Sequence, residues 1–135
     1  MFQIDPLSRT PVYEQIVTQC EEYVLLGILS SGDKLPSVRQ LSLELAINPN
    51  TIQKAYLELD RRKLVTSVPG RGVFVSTEAF EAISRDKKKN LSEIERLAGE
   101  LKAAGVPLDE ALGAVRKAYE REEKDDRNKF GYQTV

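Results

Sequence analysis

Asn50, Gln53, Lys54 and Leu57 recur at spacings that bring them to one side of a helix. Two of them carry primary amides, which can pair a donor and an acceptor with the edge of a base. Lys54 and the neighbouring Thr51 offer a cation and a hydroxyl to phosphate oxygens. No acid interrupts this side. The other side carries Ile52, Ala55, Tyr56 and Leu59 at i, i+3, i+4 and i+7, a stripe that should be buried. Further on, Arg71 stands between Gly70 and Gly72 in a Pro-Gly-Arg-Gly turn, where its backbone can approach a partner closely. This is chemistry for holding and reading a nucleic acid.

Catalytic chemistry has little to work with. The 135 residues include no histidine and one cysteine, which excludes a Ser-His-Asp triad, an internal disulfide and a cysteine-based zinc cluster. The carboxylate pairs Glu21-Glu22, Glu122-Glu123 and Asp125-Asp126 are adjacent in sequence, so on a helix they diverge into solvent. No glycine-rich loop cradles a phosphate. The sequence therefore predicts no catalytic residues, no metal and no cofactor.

The elements that must position the reading side are legible around it. Ser37 and Gln40 form a capping box ahead of Val38, Leu41 and Leu45, the apolar face of a short helix. Ala46-Ile47-Asn48 breaks that helix. Asn48 caps the next one, with Pro49 at its first position, where a missing N–H costs nothing. Residues 64–68 and 72–75 are β-prone and flank the turn at 69–72, giving a hairpin. Two helices across a tight turn, the second polar at its N-terminal front, are how a helix-turn-helix enters a major groove. The hairpin then becomes a wing against the duplex, with Arg71 in or near the minor groove. Arg39, off the apolar face of its helix, points to the groove or a phosphate. Upstream, Thr10 caps a helix begun by Pro11. Tyr13, Ile16, Val17, Cys20, Val24 and Ile28 form its buried stripe, with Glu14, Thr18, Glu21 and Glu22 outward. Arg61, Arg62 and Lys63 close the reading helix as solvated cations at its C-terminal end.

The run LPSVRQLSLELAINPNTIQKAYLELDRRKLV, followed by GRGVFV and preceded by PVYEQI and the Gly-Asp-Lys-Leu-Pro-Ser turn, resembles the N-terminal winged helix of GntR-family bacterial transcription regulators. The resemblance covers about residues 8 to 76. The short remainder resembles the YtrA-type subfamily, with its small two-helix C-terminal piece. The resemblance implies that Arg39, Asn50, Thr51 and Arg71 occupy DNA-contacting positions. Many members carry Ser-Arg-x-Thr-Val-Arg where this chain has Asn48-Pro49-Asn50-Thr51-Ile52-Gln53. Without those two arginines, amide contacts to adenine become more plausible than arginine contacts to guanine. The resemblance also implies a transporter operon as target and leaves room for a small-molecule effector.

Charge supports the same division. The chain is 30% charged with a net charge of −1, yet residues 37–75 set six cations against three acids, while residues 1–36 set two against five. A duplex attracts a local basic face on a neutral molecule. Beyond the hairpin, Thr77 caps a short helix through Phe80 and Ile83, and 85–89 is a charged connector. Asn90 caps a helix striped by Leu91, Ile94, Leu97, Ala98 and Leu101. Gly105 and Pro107 stop it, and Leu108, Ala111, Leu112, Val115 and Tyr119 stripe the next. Two such helices cannot bury both stripes alone. They need the winged helix of the same chain or, more economically, a second copy in a C2 homodimer.

The fold expected is mainly α with a small β-hairpin: a winged helix-turn-helix over residues 1–77, then a two-helix C-terminal dimerisation hairpin with a charged tail over 78–135. The expected DNA contacts are Arg39, Asn50, Thr51, Gln53, Lys54, Arg71 and Gly72. The expected dimer contacts are Leu91, Ile94, Leu97, Leu101, Leu108, Leu112, Val115 and Tyr119. The expected function is a cytoplasmic regulator, a repressor, acting as a homodimer on a palindromic double-stranded DNA operator. No apolar run reaches the ~20 residues of a membrane span, and the first residues lack a signal-peptide pattern. A winged helix serving only protein contacts would lack the polar reading front and the basic wing tip.

Overall fold

The computed structural model describes residues 1–121. The chain forms two compact units, Met1–Asp86 and Lys87 onward. The division falls beyond residue 77 because α4 (Ala79–Lys87) buries Ala79 and Ile83 and joins the first unit.

In the first unit, α1 (Val12–Leu25) buries Ile16, Val17, Cys20 and Val24, as its periodicity requires. Its start and its rim differ from expectation. Pro11 is the N-cap, and Thr10 makes no capping bond. The turn is held instead by Gln15, whose amide donates to the carbonyls of Asp5 and Thr10 at 3.0 and 2.9 Å. The helix stops at Leu25, where Gly27 takes φ 75° and the amides of Ile28 and Leu29 both turn back to the Tyr23 carbonyl. Ile28 is thereby left 40% exposed and Leu29 is buried in its place. The N-terminal segment also packs, with Phe2 buried edge-on against Tyr23.

Helix α2 (Val38–Leu45) begins with the capping box. The Gln40 amide donates to Ser37 Oγ at 3.0 Å, and the Ser37 amide to Gln40 Oε1 at 2.9 Å. It ends at Ala46, which sits in the left-handed region at φ 54°. Helix α3 (Pro49–Arg61) is capped by Asn48, whose Oδ1 accepts from the Asn50 amide at 2.8 Å. It buries Ile52, Ala55, Tyr56 and Leu59 and packs on α1 and α2. The Tyr56 hydroxyl donates to the Pro36 carbonyl at 2.6 Å, tying α3 to the approach into α2.

Strands β1 (Val65–Val68) and β2 (Gly72–Val75) pair antiparallel, with Val65 opposite Val75 and Val68 opposite Gly72. Residues 32–35, read from sequence as a plain turn, lie along the outer edge of β2. Gly32 and Leu35 donate to the carbonyls of Val75 and Val73, and Val75 donates to Asp33, each at 2.8 Å. The wing thus has a third edge, with Lys34 bridging Phe74. Ser76, not Thr77, caps the following turn, its Oγ accepting from the Glu78 amide.

In the second unit, α5 (Asn90–Ala103) and α6 (Leu108–Tyr119) form a hairpin. Gly105 at φ 80° ends α5, and the Val106 amide closes on the Leu101 carbonyl. Lys89 rather than Asn90 is the N-cap of α5, and no side chain caps it; of the stretch 85–89 expected as a connector, residues up to Lys87 are the last turn of α4, and only Lys88 and Lys89 are turn. Asp109 and Glu110 in the first turn of α6, and Arg116 and Lys117 in its last, match the helix dipole. Of the tail, the stretch 122–135, with Phe130 and Tyr132, lies outside the described residues.

Candidate nucleic-acid interface

The outward side of α3 is built as the spacing required. Asn50, Gln53, Lys54 and Leu57 are exposed while the opposite stripe is buried, and Leu57 is 59% exposed. Asn48 and Pro49 start the helix immediately before this side, so Asn50 and Thr51 stand at its front. Thr51 is half-buried, its amide donating to the Asn48 carbonyl at 3.0 Å. The side chains of Asn50 and Gln53 can present donor and acceptor together to a base edge.

Lys54 is differently placed from a free cation. Its Nζ lies 4.1 Å from the centroid of the Tyr13 ring. Tyr13 was expected inside the α1 stripe. It is half-buried at the rim, with its hydroxyl donating to Glu14 at 3.1 Å. The attraction between ammonium and ring face is about 0.5–1 kcal/mol at an exposed site. It orients the lysine without removing its charge.

Arg39 is exposed on α2, and neither Arg39, Lys34 nor Arg71 forms a salt bridge among the described residues. Arg71 sits in the turn between β1 and β2, its amide donating to the Val68 carbonyl at 2.9 Å. Gly70 and Gly72 both take positive φ, 77° and 130°. Gly72 is also pressed by a neighbour, since a Cβ there would lie 2.8 Å from Lys34 Cε.

Of the cations at the far end of α3, Arg61 and Arg62 are bound to glutamates of the protein. Arg62 donates to Glu21 at 2.8 Å and to Glu58 at 2.9 Å, and Arg61 grips Glu58 with two bonds. Hydrogen bonds from Arg61 and then Arg62 hold the Glu58 carboxyl down at about 2. Glu21, expected to face outward, is buried at 6% exposure, because it is the α1 anchor of this clamp. Cys20 lies in the core beside it. Burial pushes its thiol up to about 12, so it stays protonated and inert.

Sequence reasoning missed Lys34 and Tyr13 as members of this surface. Lys34 falls in the acidic stretch before residue 37, and only the pairing of 32–35 with β2 carries it to the wing. Tyr13 obeys the helical period, but the stripe passes the edge of the core at that turn.

In the second unit, the eight apolar residues expected at a dimer contact are all uncovered in the single chain. Their exposure runs from 40% for Leu101 and Val115 to 87% for Tyr119. No His/Cys/Asp/Glu group able to hold a metal occurs among the described residues. No helix among them is long and apolar enough to cross a membrane.

The chain is similar in sequence and fold to known proteins. Residues 12–75 match the family described as bacterial regulatory proteins, gntR family. The chain is 44% identical to the HTH-type transcriptional repressor YtrA of Bacillus subtilis (strain 168) over 110 residues, 81% of this chain and 85% of that protein. The crystal structure of a transcriptional regulator from Oenococcus oeni superposes with a TM-score of 0.68 at 30% identity, covering 88% of this chain and 98% of that one. YtrA from Sulfolobus acidocaldarius, a GntR-family transcription factor, superposes with a TM-score of 0.55 at 35% identity, covering 68% of this chain and 97% of that one. The chain therefore belongs to the GntR family, and is a DNA-binding transcription regulator rather than an enzyme.

Proposed function

We propose that the protein is a cytoplasmic repressor that binds a palindromic operator as a homodimer, each protomer laying α3 in a major groove and its wing against the adjoining backbone. The observation that carries this reading is the outward side of α3 over Asn50–Leu57: two amides and a cation, with no acid before Glu58, on a helix anchored by its opposite face. Asn50 and Gln53 read bases, Thr51, Lys54 and Arg39 hold phosphates, and Arg71, freed by Gly72, reaches the minor groove. Repression is supported by the relative of that name, YtrA.

The dimer is supported by the α5–α6 stripe. Leucines on both helices stand in water, and an open apolar hollow of about 470 Å³ lies among Ala98, Leu101, Val106, Leu108 and Ala111. A second copy is its economical occupant. It buries both stripes by one symmetric contact and brings two reading helices to half-sites about one helical turn apart. A transporter operon is the target class that family resemblance favours. A small-molecule effector fits this architecture at the dimer seam.

The test is binding of the purified protein to inverted repeats from the DNA upstream of its own gene. Retarded migration that weakens with salt, at two protomers per duplex, is expected. A folded protein that ignores every such repeat would reject the reading.

A further inference from the structure

We propose that Lys34 is a second cation of the wing and binds a backbone phosphate of the duplex beside Arg71. The inference rests on the reading above that the wing lies on DNA. It starts from the strand pairing of residues 32–35. Lys34 bridges Phe74, and the flanking bonds from Leu35 to Val73 and from Val75 to Asp33 fix its backbone on the outer edge of β2. Its side chain then crosses the wing at Gly72. An ideal Cβ on that glycine would stand 2.8 Å from Lys34 Cε and 3.6 Å from Nζ. Gly72 therefore does two things: it takes a φ of 130° that other residues rarely adopt, and it clears the path of the lysine stem.

The lysine reaches a cleft of about 430 Å³ between the wing and the start of α2, lined among others by Ser37, Gln40, Val68 and Arg71. No carboxylate lines it. The nearest acid in sequence, Asp33, is engaged elsewhere, its Oδ2 accepting from the Ser30 amide at 2.8 Å. Arg61, Arg62 and Arg96 each lie within salt-bridge distance of a glutamate, whereas Lys34 and Arg71 do not among the described residues. Two cations lining one concave surface with no internal counter-charge repel each other until an anion arrives. On a DNA-binding wing, the anion supplied is a phosphodiester. A point charge on a flexible stem suits a phosphate and carries no base preference.

The experiment measures the salt dependence of operator binding by fluorescence anisotropy, using the full chain and its variants Lys34→Gln, Lys34→Thr, Lys34→Arg and Arg71→Gln. Thermal melts confirm that each is folded. Removing one phosphate contact makes the slope of log K against log salt shallower by about 0.9 per bound protomer. Between 50 and 200 mM salt the gap between wild type and Lys34→Gln should then narrow by about 3.5-fold per protomer. Lys34→Thr should match Lys34→Gln, Lys34→Arg should restore the slope, and all three should keep the wild-type ranking of operator variants. A wild-type slope for Lys34→Gln beside a reduced slope for Arg71→Gln would overturn the assignment of Lys34 and leave the wing on the duplex. Wild-type slopes in both would overturn the wing reading itself. A changed ranking in Lys34→Gln would make Lys34 a base reader and overturn the phosphate assignment.

Discussion

Replacing Arg62 by alanine should lower the thermal midpoint by about 8–16 °C. Arg62 is the hinge pin between α1 and α3. Its Nη1 holds Glu21 at 2.8 Å and its Nε holds Glu58 at 2.9 Å. Glu21 is 6% exposed, so its carboxylate has given up most of its water and depends on protein partners. Removing one partner of a fully buried pair costs about 3–5 kcal/mol. The Arg62 side chain is 36% exposed, and Arg61 still holds Glu58, which brings the expected loss to about 2 kcal/mol. In a unit of this size each kcal/mol moves the midpoint by about 4–8 °C. Circular dichroism melts measure it. The double replacement Glu21→Leu with Arg62→Met should recover most of the loss, because two apolar groups need no mutual neutralisation. A midpoint within about 3 °C of wild type for Arg62→Ala would refute the reasoning, as would a double variant no more stable than the single one.

Three further outcomes are expected. Ala46→Gly should raise stability by about 0.5–1 kcal/mol in denaturant titrations, since Ala46 holds φ 54° at the end of α2 without the freedom glycine has there. Glu58 is held at about 2 against an ordinary 4.5. A depressed carboxyl contributes stability in full above pH 4.5 that drains away as pH falls toward 2. Glu58→Gln should therefore flatten the stability profile in that window, and an unchanged profile would count against the clamp. Leu97→Glu, placed on the α5 stripe where Leu97 is 45% exposed in the single chain, should halve the mass seen by light scattering while leaving the melt of the first unit in place.

Much of this was legible in the sequence where local chemistry decides. The capping box at Ser37, the Asn48-Pro49 start and the i, i+3, i+4, i+7 stripe of α3 depend on residues close together in the chain, and the structure has them as read. The Gly105 stop is of the same kind. What escaped depends on partners far apart in the chain. Glu21 looks like an outward acid until Arg62, from the end of another helix, arrives to neutralise it. Lys34 looks like part of an acidic turn until strand pairing takes it to the wing. Thr10 and Asn90 are good caps by type, but Pro11 stands at the N-cap of the first helix and Lys89 at that of the second, and neither helix start receives a side-chain cap bond. Tyr13 obeys the helical period, but the stripe extends past the edge of the core, where Lys54 from α3 lies over the ring.

The central claim is that the outward side of α3 reads bases. The measurement that meets it most directly is the base preference of Gln53→Ala, taken by competition among operator duplexes that differ at single pairs. A bidentate amide contact is worth about 1–3 kcal/mol of discrimination. The variant should lose about that much at one position per half-site while keeping the wild-type preference elsewhere and the wild-type salt slope. A Gln53→Ala protein that is folded and retains the full preference at every position would contradict the account.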